Sequence, residues 1–208
     1  MVGIPYSFVK RILDVSVSAA ALVIGAPVAA LIAAAIRLSS QGPIIFSQKR
    51  VGKQGQPFTI YKFRTLPWDP RRKPRRKNDA RWIDIAPPEA GVLGRFLRRT
   101  GLDEWPQFWN VLRGEMSVIG PRPERQKFAE RFSREIAGYD ERHEILPGIT
   151  GLAQVTGLRG DGDLRERLAC DLYYLEHCGF WLDCKILLLT PLSLLRTQPP
   201  LKDHARSV

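Results

Sequence analysis

"VSVSAAALVIGAPVAALIAAAI", residues 15 to 36, runs twenty-two positions without a charge, and a helix needs about 20 apolar residues to cross a bilayer. How this stretch is read decides the fold. Pro27 falls near its middle, lacks an N–H and presses its ring on the carbonyl of Val23, while Gly25 weakens the helix beside it. Lys10 and Arg11 precede the segment and Arg37, Lys49 and Arg50 follow it, so the lysine and arginine bias that orients a plain span is missing. A re-entrant pair of helical arms, broken at Ala26 and Pro27 with both flanks on the cytoplasmic side, satisfies both observations. A straight span is the alternative, since membrane helices tolerate proline. A cleaved signal peptide fits poorly, because its apolar region usually runs about 7 to 15 residues.

Outward from this segment, the chain of 208 residues is long enough for one domain with a real core. The expected class is α+β, mainly helical: a membrane-embedded helical hairpin over residues 1–38, then a cytosolic domain over 39–208 with a small β-hairpin and interfacial amphipathic helices. Residues 44–49 and 58–63 read as the two hairpin strands, joined by a turn with Gly52 and Gly55. Residues 67–90, rich in proline and without period, read as a surface loop. A short helix is expected over 91–99, with Thr100 and Asp103 forming a capping box for the next. There, Trp105, Phe108, Trp109 and Leu112 follow helical spacing as an apolar stripe, with Asp103, Gln107 and Asn110 on another face. A charged helix over 124–145, a glycine-punctuated loop and strand region, and a mostly helical end complete the pattern. The uncharged run 186–195 is too short to span and reads as either a core or an interfacial helix.

The formal charge is +11, and "RRKPRRK", Arg71 to Lys77, supplies six of the positive charges. Such a balance fits an anionic membrane, phosphorylated substrates or nucleic acid. Cys170, Cys178 and Cys184 form no CxxC pair, and His143, His177 and His204 are scattered, so neither a disulfide framework nor a zinc site is expected.

The candidate chemistry lies in "GLDEWPQFWNVLRGEMSVIGPRPE", residues 101–124. An acid pair at a helix start often only complements the helix dipole. Asp103 and Glu104 gain weight from the cations around them: Lys62 and Arg64 in "KFR", Arg98 and Arg99 just before, and Arg122 between Pro121 and Pro123. A carboxylate attacks phosphorus only where cations or a metal cancel the repulsion. One acid as nucleophile and one as Mg²⁺ ligand would meet that need, and the two prolines hold the backbone of Arg122 at little entropic cost.

In these motifs, from "KRILD" through "QKRVGKQGQPFTIYKFRTL", "LRRTGLDEWPQFWNVLRGEMSVIGPRPE" and "LPGITGLAQVTG" to "DLYYLEHCGFWLDCKILLLT", the chain resembles the bacterial sugar transferases, small monotopic phosphoglycosyl transferases acting on polyprenyl phosphate. The resemblance implies a ping-pong transfer of sugar 1-phosphate from a nucleoside-diphosphate sugar, usually a UDP-sugar, to undecaprenyl phosphate. UMP is released and glycan assembly (exopolysaccharide, O-antigen or glycoprotein) begins. It implies Asp103 as nucleophile, Glu104 as Mg²⁺ ligand, Lys62, Arg64, Arg98 and Arg122 near the phosphates, and Pro121, Arg122 and Pro123 at the nucleotide. It also implies a re-entrant helix broken at a Ser-Pro pair, where this chain has Ala26 before Pro27, and a compact member without the large multi-spanning N-terminal region. The expected location is the cytoplasmic face of the bacterial inner membrane. Expected partners are the UDP-sugar, the lipid carrier and anionic headgroups bound by Arg71–Lys77, with no nucleic acid and with room for a homo-oligomer. The rival reading is a non-enzymatic membrane adaptor that binds anionic lipid or nucleic acid through that basic loop, with Trp68 and Trp82 for stacking.

Overall fold

One helix, α1 (Tyr6–Ser39), carries the entire apolar stretch and continues through Pro27. The protein is described by a computed structural model over residues 6–68, 90–158 and 164–195. The two arms expected on either side of Ala26 and Pro27 are thus parts of a single helix about 50 Å long. Proline inside a helix costs roughly 3 kcal/mol, and packing on both sides of Pro27 offsets it. Before Pro27, Trp105 donates its indole N–H to the Ala21 carbonyl at 3.3 Å. It occupies the space beside Gly25, where a Cβ would come within 2.5 Å of the indole nitrogen. After Pro27, Ala29, Ile32, Ala33 and Ile36 join one apolar cluster with Phe63, Leu93 and Leu97.

The hairpin appears as expected: β1 (Ile45–Val51) pairs antiparallel with β2 (Pro57–Phe63) around a 3-10 turn at Lys53–Gly55. Next come α2 (Val92–Thr100), a 3-10 turn at Leu102–Glu104, α3 (Gln107–Leu112) and β3 (Ser117–Ile119). Then follow α4 (Gln126–Glu135), a 3-10 turn at Tyr139–His143, β4 (Gly148–Thr150), α5 (Leu152–Val155), α6 (Leu164–His177) and α7 (Phe180–Leu195). β3 and β4 pair in parallel, a contact between strands of three residues that no local pattern announces. It needs Gly120 and Gly148, since a Cβ on Gly148 would lie 2.1 Å from the Gly120 nitrogen.

Two expectations about the middle of the chain are corrected. Thr100 ends α2, donating its hydroxyl back to the Phe96 and Leu97 carbonyls, and forms no capping box with Asp103. The inner side of α3 mixes polar and apolar residues: Gln107 and Asn110 are buried with Val111, and Phe108 packs against the core, whereas Trp109 is 52% exposed. Asn110 reaches this position by bonding across to β2, accepting from the Tyr61 N–H at 3.2 Å and donating to the Thr59 carbonyl at 2.7 Å. A satisfied amide is buried at little cost.

The first turns of α1 are fastened to three other elements. Asp183 of α7 accepts from Tyr6 Oη and Lys10 Nζ on one oxygen and from Tyr174 Oη on the other, each at 2.6 Å. Arg11 donates to the Val111 and Leu112 carbonyls that close α3. Asp14, buried, accepts the Val118 N–H at 2.9 Å. The outer side of α1 is bare and apolar, with Val23, Ile24 and Leu31 exposed, as are Trp181 and Leu188 on α7. α7 buries Ile186 in the core, as a core helix would, and leaves Leu187, Leu188 and Leu192 exposed.

Candidate active site

The acid pair sits where α2 ends. Gly101 takes a left-handed conformation, φ 72°, which stops the helix and starts the 3-10 turn holding Leu102–Glu104. Trp105, next in the chain, stacks on Phe63 with ring centroids 6.2 Å apart, so the turn is wedged between α1 and β2. Gly94 lets α2 press against the Thr65 carbonyl, which a Cβ would approach to 2.0 Å. One turn on, Arg98 Nε donates to Thr65 Oγ1 at 2.8 Å.

Glu104 Oε1 receives two cations, Lys62 Nζ at 2.5 Å and Arg122 at 3.0 Å. Burial alone would raise the pKa of Glu104, but the charges and hydrogen bonds of Arg122 and Lys62 outweigh it and hold the carboxyl down at about 2. Asp103 behaves oppositely. Desolvation, helped by the neighbouring Glu104 charge, pushes it up to about 6, against the pull of Lys62, Arg122 and Arg98. Burial lowers the pKa of Lys62, with Glu104 opposing the shift. Two adjacent carboxylates are thus driven apart by environment, the arrangement that assigns different roles to paired acids.

The segment after β3 is fixed carbonyl by carbonyl. Pro121 O accepts from Gly148 N, Arg122 O from Arg142 Nη2, Pro123 O from Arg50 Nη1 and Glu124 O from Val51 N, at 2.9 to 3.2 Å. Arg142 is itself held by a buried ion pair with Asp171 at 2.6 Å. The two prolines and these four bonds set the origin of the Arg122 side chain.

A cavity of about 640 Å³ opens over these groups. Lys62, Arg64, Arg98, Asp103, Glu104 and Arg122 all line it, so residues from β2, α2, the acid turn and the segment after β3 converge. Pro121 and Pro123 act through the backbone of Arg122. Arg64 needs revision: its guanidinium donates to the Ile36, Ser40 and Gln41 carbonyls. It closes the C-terminal end of α1, an anchoring use that leaves it ill placed to serve as a phosphate ligand.

Gln48, Arg50, Thr65, Arg125, Thr150 and Gln154 also line the cavity, and the motif reading did not single them out. For two of them a signal existed. Phe46 pairs with Lys62 across the hairpin, so strand alternation carries Gln48 and Arg50 to the same face. Arg71–Lys77 and Trp82, on which the adaptor reading rests, lie outside the described residues, as do residues 159–163 and His204.

For Mg²⁺, among the described residues no group of three or more His, Cys, Asp or Glu side chains gathers. The donor set still suits it, because Mg²⁺ keeps several waters and takes one or two carboxylates plus substrate phosphates. The hydrogen bonds made by Glu104 to described residues use only Oε1.

Comparison with known proteins places the chain among sugar transferases. The family model for bacterial sugar transferases matches residues 5–197. A UDP-glucose:undecaprenyl-phosphate glucose-1-phosphate transferase of Klebsiella pneumoniae is 42% identical over 187 residues, covering 87% of this chain and 39% of the relative. A UDP-N-acetylgalactosamine-undecaprenyl-phosphate N-acetylgalactosaminephosphotransferase of Aeromonas hydrophila is 38% identical, with 91% and 44% covered. The exopolysaccharide production protein PSS of Rhizobium leguminosarum bv. phaseoli is 38% identical, with 89% and 94% covered. The chain thus spans less than half of the first two relatives and nearly all of the third.

Proposed function

The chain belongs to the bacterial sugar transferase family, and from this membership and its site we propose that it transfers a sugar 1-phosphate from a UDP-sugar to undecaprenyl phosphate, releasing UMP. The observation that carries the proposal is the split acid pair: Asp103 and Glu104 share a cationic cavity, yet one is pushed up to about 6 and the other held at about 2.

In the first half-reaction an Asp103 oxygen attacks the β-phosphorus of the donor. The new O–P bond forms as the phosphoanhydride O–P bond breaks, and its electron pair leaves with UMP. In the second, a phosphate oxygen of the lipid attacks the same phosphorus and Asp103 leaves as a carboxylate, so no net proton is consumed. A carboxyl with a pKa near 6 is ionised at neutral pH yet little hydrated, which favours attack. Glu104, always ionised, holds Lys62 and Arg122 in place beside the phosphates and would hold Mg²⁺. The metal would supply charge neutralisation at the non-bridging phosphate oxygens.

We also assign α1 to the cytoplasmic face of the inner membrane, entered from one side. Asp14, Ser18, Ala21, Gly25, Ile32 and Ile36 all touch or are buried against the rest of the protein. No stretch of about 20 residues is left clear for a perpendicular crossing, while the opposite side offers Val23, Ile24 and Leu31 to lipid. The lipid carrier and the soluble donor then meet at one membrane face.

The test is UMP release by purified full chain with Mg²⁺, undecaprenyl phosphate and a UDP-sugar panel that includes UDP-glucose and UDP-N-acetylgalactosamine. Release with at least one donor is expected, along with a sugar-phosphate adduct on Asp103 by mass spectrometry when donor is added alone. Silence across the whole panel rejects the reading.

A further inference from the structure

The cavity holds more positive charge than the acid pair and its partners use. Lys62 and Arg122 are engaged with Glu104, and Arg98 is oriented by Thr65. Two further arginines, Arg50 and Arg125, line the same space. They are brought together by backbone stitching: Arg50 Nη1 donates to Pro123 O at 3.2 Å, and the next residue, Val51, donates its N–H to Glu124 O at 2.9 Å. Arg125 follows directly, over the Phe128 ring at 5.9 Å.

No carboxylate among the described residues pairs with either. Glu104 Oε1 is taken by Lys62 and Arg122, and Glu124 is taken by Arg167. Arg50 Nε is buried without a hydrogen-bond partner. Burial first, then the charges of Arg125 and Arg122, bring its pKa down to about 10, against the opposing pull of Glu124 and Glu104. Asp103 feels Lys62, Arg122 and Arg98. Arg122 therefore belongs to both groups of cations, since its charge acts on Asp103 and on Arg50 and all of them line one cavity.

We propose that Arg50 and Arg125 form a second phosphate subsite, adjoining the acid pair through Arg122, that binds a phosphate monoester dianion. The inference rests on the phosphoryl-transfer reading for what that dianion is. Once phosphorus is bonded to Asp103, the cations around it are engaged with the sugar-phosphate. A second anion can approach only if other cations neutralise it. The departing nucleoside monophosphate and the arriving prenyl phosphate both present this chemistry, and they occupy the position in turn.

Arg125→Gln is the informative change, since apart from lining the cavity Arg125 only covers Phe128 and its loss should not unfold the chain. Binding of UMP and of farnesyl phosphate to full-length protein in detergent is measured by calorimetry, for wild type, Arg125→Gln and Arg125→Lys. Loss of one charge-assisted contact should weaken at least one ligand by about tenfold, with partial rescue by lysine. Weakening of farnesyl phosphate assigns the subsite to the acceptor, and weakening of UMP assigns it to the leaving nucleotide; either supports the proposal. Both affinities unchanged within twofold overturns it. If wild-type protein turns over no donor, the transferase reading fails, while the same titrations still decide whether a phosphate subsite exists.

Discussion

Asp103 and Glu104 are neighbours in the chain with opposite consequences for stability. Asp103 has its folded-state pKa raised from 3.8 to about 6, with burial as the largest cause. The folded state therefore binds its proton more tightly than the unfolded state, and stability is lost as pH rises from about 4 through 6. Glu104 has its pKa lowered from 4.5 to about 2, so its contribution is present above pH 4.5 and is lost only as pH falls through 2. Asp103→Asn should abolish UMP release yet raise the melting temperature by a few degrees at pH 7.5, as scanning calorimetry would read. Glu104→Gln should lower activity on the order of 100-fold and also lower the melting temperature, because Lys62 and Arg122 lose the negative charge they share. In wild type, the acid limb of the first half-reaction should fall near pH 6. A limb near pH 4 would mean that burial does not control the ionisation of Asp103.

At the scale of elements, α1 is tied to the candidate site by polar groups set at the start of an apolar helix. Asp14 accepts the Val118 N–H, and β3 leads within three residues to the Pro121–Pro123 turn that carries Arg122. The seat of the helix and the position of that cation are one construction. Asp14→Asn keeps an acceptor and should leave turnover within about twofold. Asp14→Ala strands a buried N–H, costs about 1–3 kcal/mol, and should lower the melting temperature in detergent together with UMP release. Equal behaviour of the two variants would show that the bond does not matter.

At the scale of the whole molecule, α1 meets the rest of the protein before and after Pro27, through Arg11 and Asp14 on one side and Ile32 and Ile36 on the other. The one-sided placement proposed for α1 puts both ends of the helix in the same compartment. Cysteines introduced at Ser7 and Gln41, in a background without Cys170, Cys178 and Cys184, should both react with an impermeant maleimide in inverted membrane vesicles and neither in intact spheroplasts. Opposite accessibility of the two positions would establish a crossing helix and reject the one-sided placement.

The sequence by itself determined the features that depend on neighbours along the chain: the apolar length of α1, the β1–β2 hairpin, the acid pair and the order of cations before and after it. It also determined that Pro121 and Pro123 would stiffen the backbone of Arg122. Only the tertiary structure decided that helix α1 runs unbroken through Pro27, because Trp105 and Phe63, distant in sequence, supply the packing that offsets the proline. Only it decided that Arg64, though it lines the cavity, is spent on closing α1, that Arg50 and Arg125 line the cavity too, and that α3 buries Asn110 rather than Trp109. The physical reason is common to all of these. Periodicity reports which residues share a side, but burial, charge and hydrogen-bond satisfaction depend on what lies opposite, and that is set by contacts across the fold.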